Sequence, residues 1–537
     1  MRLGVDPGTI MPQQTLHWID WTIVLIYLGG ILAIGWYFSH RQDSTREYFT
    51  ANRSMPGPAV ALSLMATIIS SVTFLAYPGE AYTGNWIRLV QGLAVPLVLV
   101  SIIWFIVPIY RHYVGISAYE YFERRFGYTA RLYSSLAFFV TQFTRIGSIL
   151  YLLSLALAAM TGMNTYVIIV ILGIVTTAYT LLGGIEAVIW TDIIQGIMLV
   201  AGGLIATATL LFCTPEGPIK MIQTAYQAGK ISVGPFDWDF RRLTFWVMAI
   251  NGIFYALQKH GTDQAVVQRF LTARSDRTAI RAALTGSLTC VFVWTLFMFI
   301  GSMLWAYYKL HPEALPATIV GDKVFPFFIM SRLPAGITGL ILATLTAAAM
   351  SSLDSDINCL AAVAVEDFYR KLRPDSTDKR CLVLAKVMVL ISGLFAMLIA
   401  CIYVYLGGQA ILGTIFALYA IFSGGIAGMF ALGFLTTRAN RRGLNIGIAA
   451  CILFTAYAVL TSTSIQIAGQ KRLLLDLGRW NFPHHNYMLG VYSHMVLFVV
   501  GYLASLLMRP DRDVRNLTLY GWLDHRERHK PVQYPGH

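Results

Sequence analysis

Charge is what this sequence has least of. Asp, Glu, Lys and Arg make up only 12% of its 537 residues, against about 25% in a soluble globular chain. Cysteine is scarce as well. The six present (Cys213, Cys290, Cys359, Cys381, Cys401 and Cys451) are scattered, with no Cys-x-x-Cys pair. That speaks against a disulfide framework or a zinc ribbon and leaves them as small apolar packers. Also missing are a phosphate-binding glycine loop, a nucleophile beside a base, and a cluster of metal ligands. The chain is therefore not expected to be an enzyme. Ser423-Gly424-Gly425 lies inside an apolar stretch, where small residues serve helix packing. No stretch is long enough for a second, soluble domain. The tail 511–537 is expected to be a solvated or surface-lying strip, too short for the kinase or receiver region of a sensor.

Apolar residues fill the chain instead: 56% are hydrophobic and the mean hydropathy is +0.62. Windows of about 20 apolar residues mark membrane spans. Thirteen are found, near 19–39, 57–79, 87–110, 131–160, 163–182, 186–212, 243–261, 281–308, 335–365, 383–406, 410–435, 443–462 and 489–508. The expectation is an all-α membrane protein with one transmembrane domain over 1–510. The first span is not read as a cleavable signal, because His17-Trp18-Ile19-Asp20 is not a basic flank and no small-residue cleavage site follows.

A net charge of +13 could suggest nucleic acid, but the basic residues sit between spans. The bilayer and a small solute are the expected partners, and no nucleic acid. Loops at 41–53, 111–131, 269–281, 370–380 and 438–442, with the tail from Arg509, carry more Arg and Lys than the opposite loops. Basic loops favour the cytoplasm. An odd span count then places the N-terminus outside and the C-terminus inside a plasma or inner membrane.

Polar residues buried in such spans are costly unless they serve something. In the ninth span, Ala348, Ser351, Ser352 and Ser355 share one helical stripe at i, i+3, i+4 and i+7. The stripe offers hard oxygen ligands to a small cation; the alternative is that the serines only let helices approach. Asp356 lies about 100° off this stripe and is left unassigned. Two spans look broken. The second carries Ala66-Thr67-Ile68-Ile69-Ser70-Ser71-Val72-Thr73 and ends in Pro78-Gly79; the seventh carries Asn251-Gly252 midway and polar Gln258-Lys259-His260-Gly261 at its end. Interruptions five spans apart suggest inverted repeats around a midplane site.

Three strings carry a specific resemblance. They are Gly183-Gly184 with Trp190-Thr191-Asp192 and Gln195, Gly261-Thr262-Asp263-Gln264 with Val267-Gln268-Arg269, and Ser351-Ser352-Leu353-Asp354-Ser355. In that order, over roughly 19–510, the chain resembles the sodium:solute symporter family, which includes sodium/glucose, sodium/proline and sodium/sialic acid transporters. The resemblance implies a LeuT-type five-plus-five inverted repeat, with core repeats about 57–212 and 243–435 and discontinuous second and seventh spans. It implies import of a small polar solute with Na⁺ by alternating access.

The family's sodium site would use the carbonyls of Ala66, Ile69 and Ala348 and the hydroxyls of Ser351 and Ser352. A second sodium site, present in some members, would take Asp192, Ser351, Asp354 and Ser355. Asp stands at 354 where the sialic acid branch resembles Ser. Asp192 is alternatively a proton carrier, or a structural partner for an arginine. In the sialic acid branch an arginine similar to Arg145 binds the substrate carboxylate, helped by hydroxyls equivalent to Ser70 and Thr73. A planar guanidinium suits a carboxylate through two parallel hydrogen bonds. The structural alternative pairs Arg145 with Asp192, Asp354 or Glu80. Gln91, Asn251, Phe254 and Gln258 are further candidates for the substrate site. The sugar branch places a gating Tyr where Lys259 stands. A carboxylate such as a sialic acid or another organic anion is thus the expected solute. A sugar or polyol symporter, or a proton-coupled one using Asp192, is the alternative.

Overall fold

The computed structural model describes residues 16–212, 214–317, 319, 321–406, 424–467, 470–509 and 514–527. The chain is mostly helical. Its long helices are α1 (Trp18–Ser39), α2 (Gly57–Ile68), α3 (Ser71–Thr83), α4 (Leu89–Tyr113), α5 (Tyr128–Thr161), α6 (Thr165–Phe212) and α7 (Phe245–Gly261). They continue as α8 (Gln264–Thr272), α9 (Asp276–Leu310), α10 (Ile337–Val363), α11 (Asp378–Tyr405), α12 (Ile426–Leu435), α13 (Arg441–Ser462) and α14 (Asn486–Leu506). Short helices such as Thr45–Thr50 and Glu120–Phe126 lie in the connections, and one antiparallel hairpin pairs Ser464–Ile467 with Gln470–Leu473.

Among the described residues nine helices are long and apolar enough to cross a membrane, ten when α2 and α3 count as one bent span. The thirteen expected windows differ from this for physical reasons. The windows 163–182 and 186–212 run together as the 48-residue α6. A straight helix of that length would reach about 72 Å, over twice the roughly 30 Å of hydrocarbon. The chain instead kinks sharply at Gly184, at φ 56° and ψ −154°, a conformation reserved for glycine. Tyr48 closes the kink by donating its hydroxyl to the carbonyls of Thr180 and Leu181, both at 3.2 Å. The seventh window is the 17-residue α7, at the short limit for a crossing. The window 410–435 lies outside the described residues except for α12.

α10 is the axis of the molecule: every residue from Ile341 to Val365 is buried. It packs against α1, α5, α6 and α11. Its N-terminus is capped from α1, where Asp20 Oδ1 accepts from the backbone N–H groups of Gly336 and Gly339 at 2.7 Å each. A carboxylate there satisfies two orphan donors and the helix dipole.

The second span breaks between α2 and α3, which meet at a 59° bend. Ile69 and Ser70 are extended, and Ser70 Oγ caps α3 by accepting from Val72 N at 3.3 Å. A run of β-branched and hydroxyl residues gives the backbone partners outside the helix ladder. The interruption expected at Asn251-Gly252 does not occur. α7 is continuous there, because Gly252 lets α4 approach: a Cβ would sit 2.6 Å from Ala94 Cβ and 2.9 Å from the Gln91 carbonyl. The break falls after Gly261 instead, where Asp263 caps α8 by accepting from Ala265 N at 2.9 Å.

Candidate functional site

Five oxygens converge where α10 passes the α2–α3 break. Ser351 Oγ lies 3.0 Å from the carbonyl of Ala66 and 3.2 Å from that of Ala348. Ser352 Oγ lies 3.4 Å from the carbonyl of Ile69. All five residues are buried. Breaking the helix frees two of these carbonyls from the ladder, and the serine stripe supplies the facing hydroxyls. The set is neutral, hard and compact, which suits a small monovalent cation that sheds its water.

Asp192, Asp354 and Ser355 are also brought together, around a residue that the sequence reading counted among the basic residues of the 269–281 loop. Arg269 on α8 is fully buried. Its Nη2 reaches Asp192 Oδ2 at 3.3 Å and Ser355 Oγ at 2.5 Å, and its Nε reaches Ser63 Oγ at 3.2 Å. Ser63 Oγ donates to Asp192 Oδ2 at 2.6 Å. Tyr179 donates to Asp354 Oδ2 at 2.5 Å, and Ser355 Oγ lies 3.2 Å from Asp354 Oδ1. Ser355 also donates to the Ser351 carbonyl at 2.8 Å, which joins this network to the five-oxygen set. Asp192 contacts the guanidinium directly and Asp354 reaches it through Ser355, and Asp192 Oδ1 has no hydrogen-bond partner among the described residues.

Arg145 and Gln258 line a cavity of about 300 Å³, with Gln142, Tyr255, Lys259 and Asp263. Ile68, beside the break, is part of the same wall. Arg145 does not pair with any of its three expected alternatives. Asp192 and Asp354 are held as above, and Glu80 binds Arg88 at 2.6 Å. Arg145 pairs instead with Asp356, at 3.1 Å. The 100° offset from the serine stripe turns that side chain toward α5. Ser70, Thr73 and Gln91 lie outside this cavity wall. Asn251 Nδ2 donates to the Tyr487 carbonyl at 2.8 Å, and Phe254 stacks on His494 with ring centroids 5.8 Å apart. Both contacts tie α7 to α14.

Comparison with known proteins decides the family. The model of the sodium:solute symporter family matches residues 48–450. The sodium/sialic acid symporter NanT of Aliivibrio fischeri is 31% identical over 501 residues, 93% of this chain and 95% of that protein. The sodium/sialic acid symporter SiaT of Proteus mirabilis is 33% identical over 474 residues, 86% of this chain and 95% of its own length. A Na⁺-coupled sialic acid symporter solved with substrate in an outward-open state superposes with a TM-score of 0.84 at 30% identity, covering 93% of this chain and 100% of that one. The chain belongs to the sodium:solute symporter family.

In this sodium:solute symporter Na⁺ is the coupling ion, and the chain is a multi-pass membrane transporter. The residues that sequence reasoning passed over are partners of those it found. Arg269 was legible as part of a motif string and as a basic loop residue; a fully buried arginine implies a carboxylate nearby, but not which one. Ser63 and Tyr179 carry no signal of their own, since single hydroxyls in apolar helices commonly bond to the preceding turn.

Proposed function

We propose that this symporter carries a carboxylate-bearing solute of the sialic acid type, driven by Na⁺ held at Ala66, Ile69, Ala348, Ser351 and Ser352. The observation that carries the reading is a guanidinium, that of Arg145, in the wall of a cavity next to the broken helix. Such a group offers bidentate binding to a carboxylate. The similarity to two sialic acid symporters over most of their length supports the same class of solute. Gln258 and Gln142 add amide donors and acceptors for hydroxyl or acyl groups. Ser70, Thr73 and Gln91 would join the solute only after the helices around the cavity move, as alternating access requires.

A second cation belongs to the same reading. Arg269 pairs with Asp192 while Asp354 is held by Tyr179 and Ser355, which among the described residues leaves one buried negative charge in excess if both are ionised. A Na⁺ between Asp192, Asp354, Ser351 and Ser355 would offset it; a proton on one carboxylate is the alternative. The architecture fits two inverted five-span repeats over about 57–212 and 243–435, with the α2–α3 and α7–α8 interruptions in corresponding places. Basic loops support an outside N-terminus and a cytoplasmic C-terminus.

A thermal-shift screen of the purified protein tests the reading. Sialic acid should raise the melting temperature more in NaCl than in choline chloride, since a ligand that binds only the folded state stabilises it. Stabilisation by neutral sugars alone would transfer the assignment to a sugar or polyol symporter.

A further inference from the structure

We propose that Asp356 is a built-in competitor for the solute's carboxylate at Arg145, and so a determinant of solute release. The inference rests on the carboxylate reading above. Asp356 is fully buried on α10. Its Oδ1 accepts from Arg145 Nη1 at 3.1 Å and from Gln142 Nε2 at 3.0 Å. Both donors line the cavity, and Asp356 stands behind them. Its other oxygen, Oδ2, is buried without a hydrogen-bond partner among the described residues. The remaining charges of the cavity wall cancel each other, since Lys259 binds Asp263 at 2.6 Å. Among the described residues the wall therefore holds no excess positive charge to attract an anion.

A carboxylate entering this cavity meets a guanidinium that already has an anionic partner. It must share Arg145 with Asp356 or displace it, and two carboxylates on one guanidinium repel each other. The internal anion thus lowers affinity. It also gives Arg145 and Gln142 an acceptor to return to when the solute leaves. Asp356 follows Ser352 by four residues, one helical turn further along α10. A shift of α10 against α2 at the five-oxygen set therefore moves Asp356 against α5. Sodium occupancy and the strength of the competitor are carried on one rigid element.

The test is isothermal titration calorimetry on the purified full chain in saturating NaCl. The ligands are N-acetylneuraminic acid and glucose as the neutral comparison, with melting temperatures measured in parallel. Asp356→Asn and Asp356→Ser remove the charge at two side-chain sizes. The competitor role predicts that N-acetylneuraminic acid binds about tenfold tighter to the variants than to wild type. It also predicts slower turnover in proteoliposomes and no gain for glucose. Unchanged or weaker carboxylate binding by a variant that keeps its melting temperature would overturn the proposal. So would loss of folding in both variants, which would assign Asp356 to holding α5 against α10. If wild type fails to bind the carboxylate, the proposed solute class falls. Even then, carboxylate binding gained by Asp356→Asn would uphold the competitor, and its absence would refute it.

Discussion

A hydroxyl buried beside a freed carbonyl can exchange its hydrogen bond for a cation, and the proposed sodium site assigns that role to Ser351 and Ser352. Replacing both Ser351 and Ser352 with Ala should lower Na⁺ affinity by at least about tenfold, since interactions with a charged group are worth roughly 1.5–3 kcal/mol each. Sodium titration of the melting temperature reads this directly, and an unchanged midpoint would move the ion elsewhere. Asp192→Asn keeps size and most hydrogen bonding but removes a charge that Arg269 now balances. A lower Hill coefficient for sodium activation of uptake is expected; an unaltered curve would make Asp192 structural. Arg145→Ala should weaken carboxylate binding by about 2–5 kcal/mol, and Arg145→Lys should restore little, because the bidentate fork is lost. Calorimetry in NaCl measures both. At this scale the serine stripe was legible because hydroxyls stand out in an apolar span and helical spacing puts them on one face. The partner of Arg145 was not. Asp356 lies off that face, and only the packing of α5 on α10 reveals what its direction serves.

Helix breaks are written in local chemistry, but their positions are settled by packing. The run of β-branched and hydroxyl residues at 67–73 breaks its helix where the sequence suggests, since such residues offer or tolerate a non-helical backbone. Asn251-Gly252 carries a similar signal and stays helical, because the glycine serves close approach to α4 and the asparagine finds the Tyr487 carbonyl. Gly184 is the reverse case. Read from sequence it belongs to a motif string at the boundary of two apolar windows; in the structure it takes φ 56° under the ring of Tyr48. A Cβ added there would lie 2.8 Å from both the Tyr48 ring and the Tyr48 carbonyl. Gly184→Ala should therefore cost about 1–3 kcal/mol of stability, visible as a lower melting temperature with little change in sodium affinity at equal temperature. A variant as stable as wild type would show that the kink is not required.

For the molecule as a whole, hydropathy sufficed for the membrane setting, and three motif strings sufficed for the family. The windows also separated the two arms of α6, 163–182 and 186–212, on either side of the kink at Gly184, and marked the 17-residue α7; the count of thirteen exceeds the nine or ten helices of spanning length among the described residues. Coupling is a property of the whole assembly. The five-oxygen set, the Asp192–Arg269–Asp354 network and the Arg145 cavity all border α10 or the break facing it, so the proposed ion and solute sites share the same elements. Uptake of radiolabelled N-acetylneuraminic acid into proteoliposomes is the most direct measurement of that claim. An inward Na⁺ gradient should drive accumulation above equilibrium, and an inward proton gradient in Na⁺-free buffer should not. Equal uptake with and without Na⁺, or accumulation driven by the proton gradient alone, would contradict it.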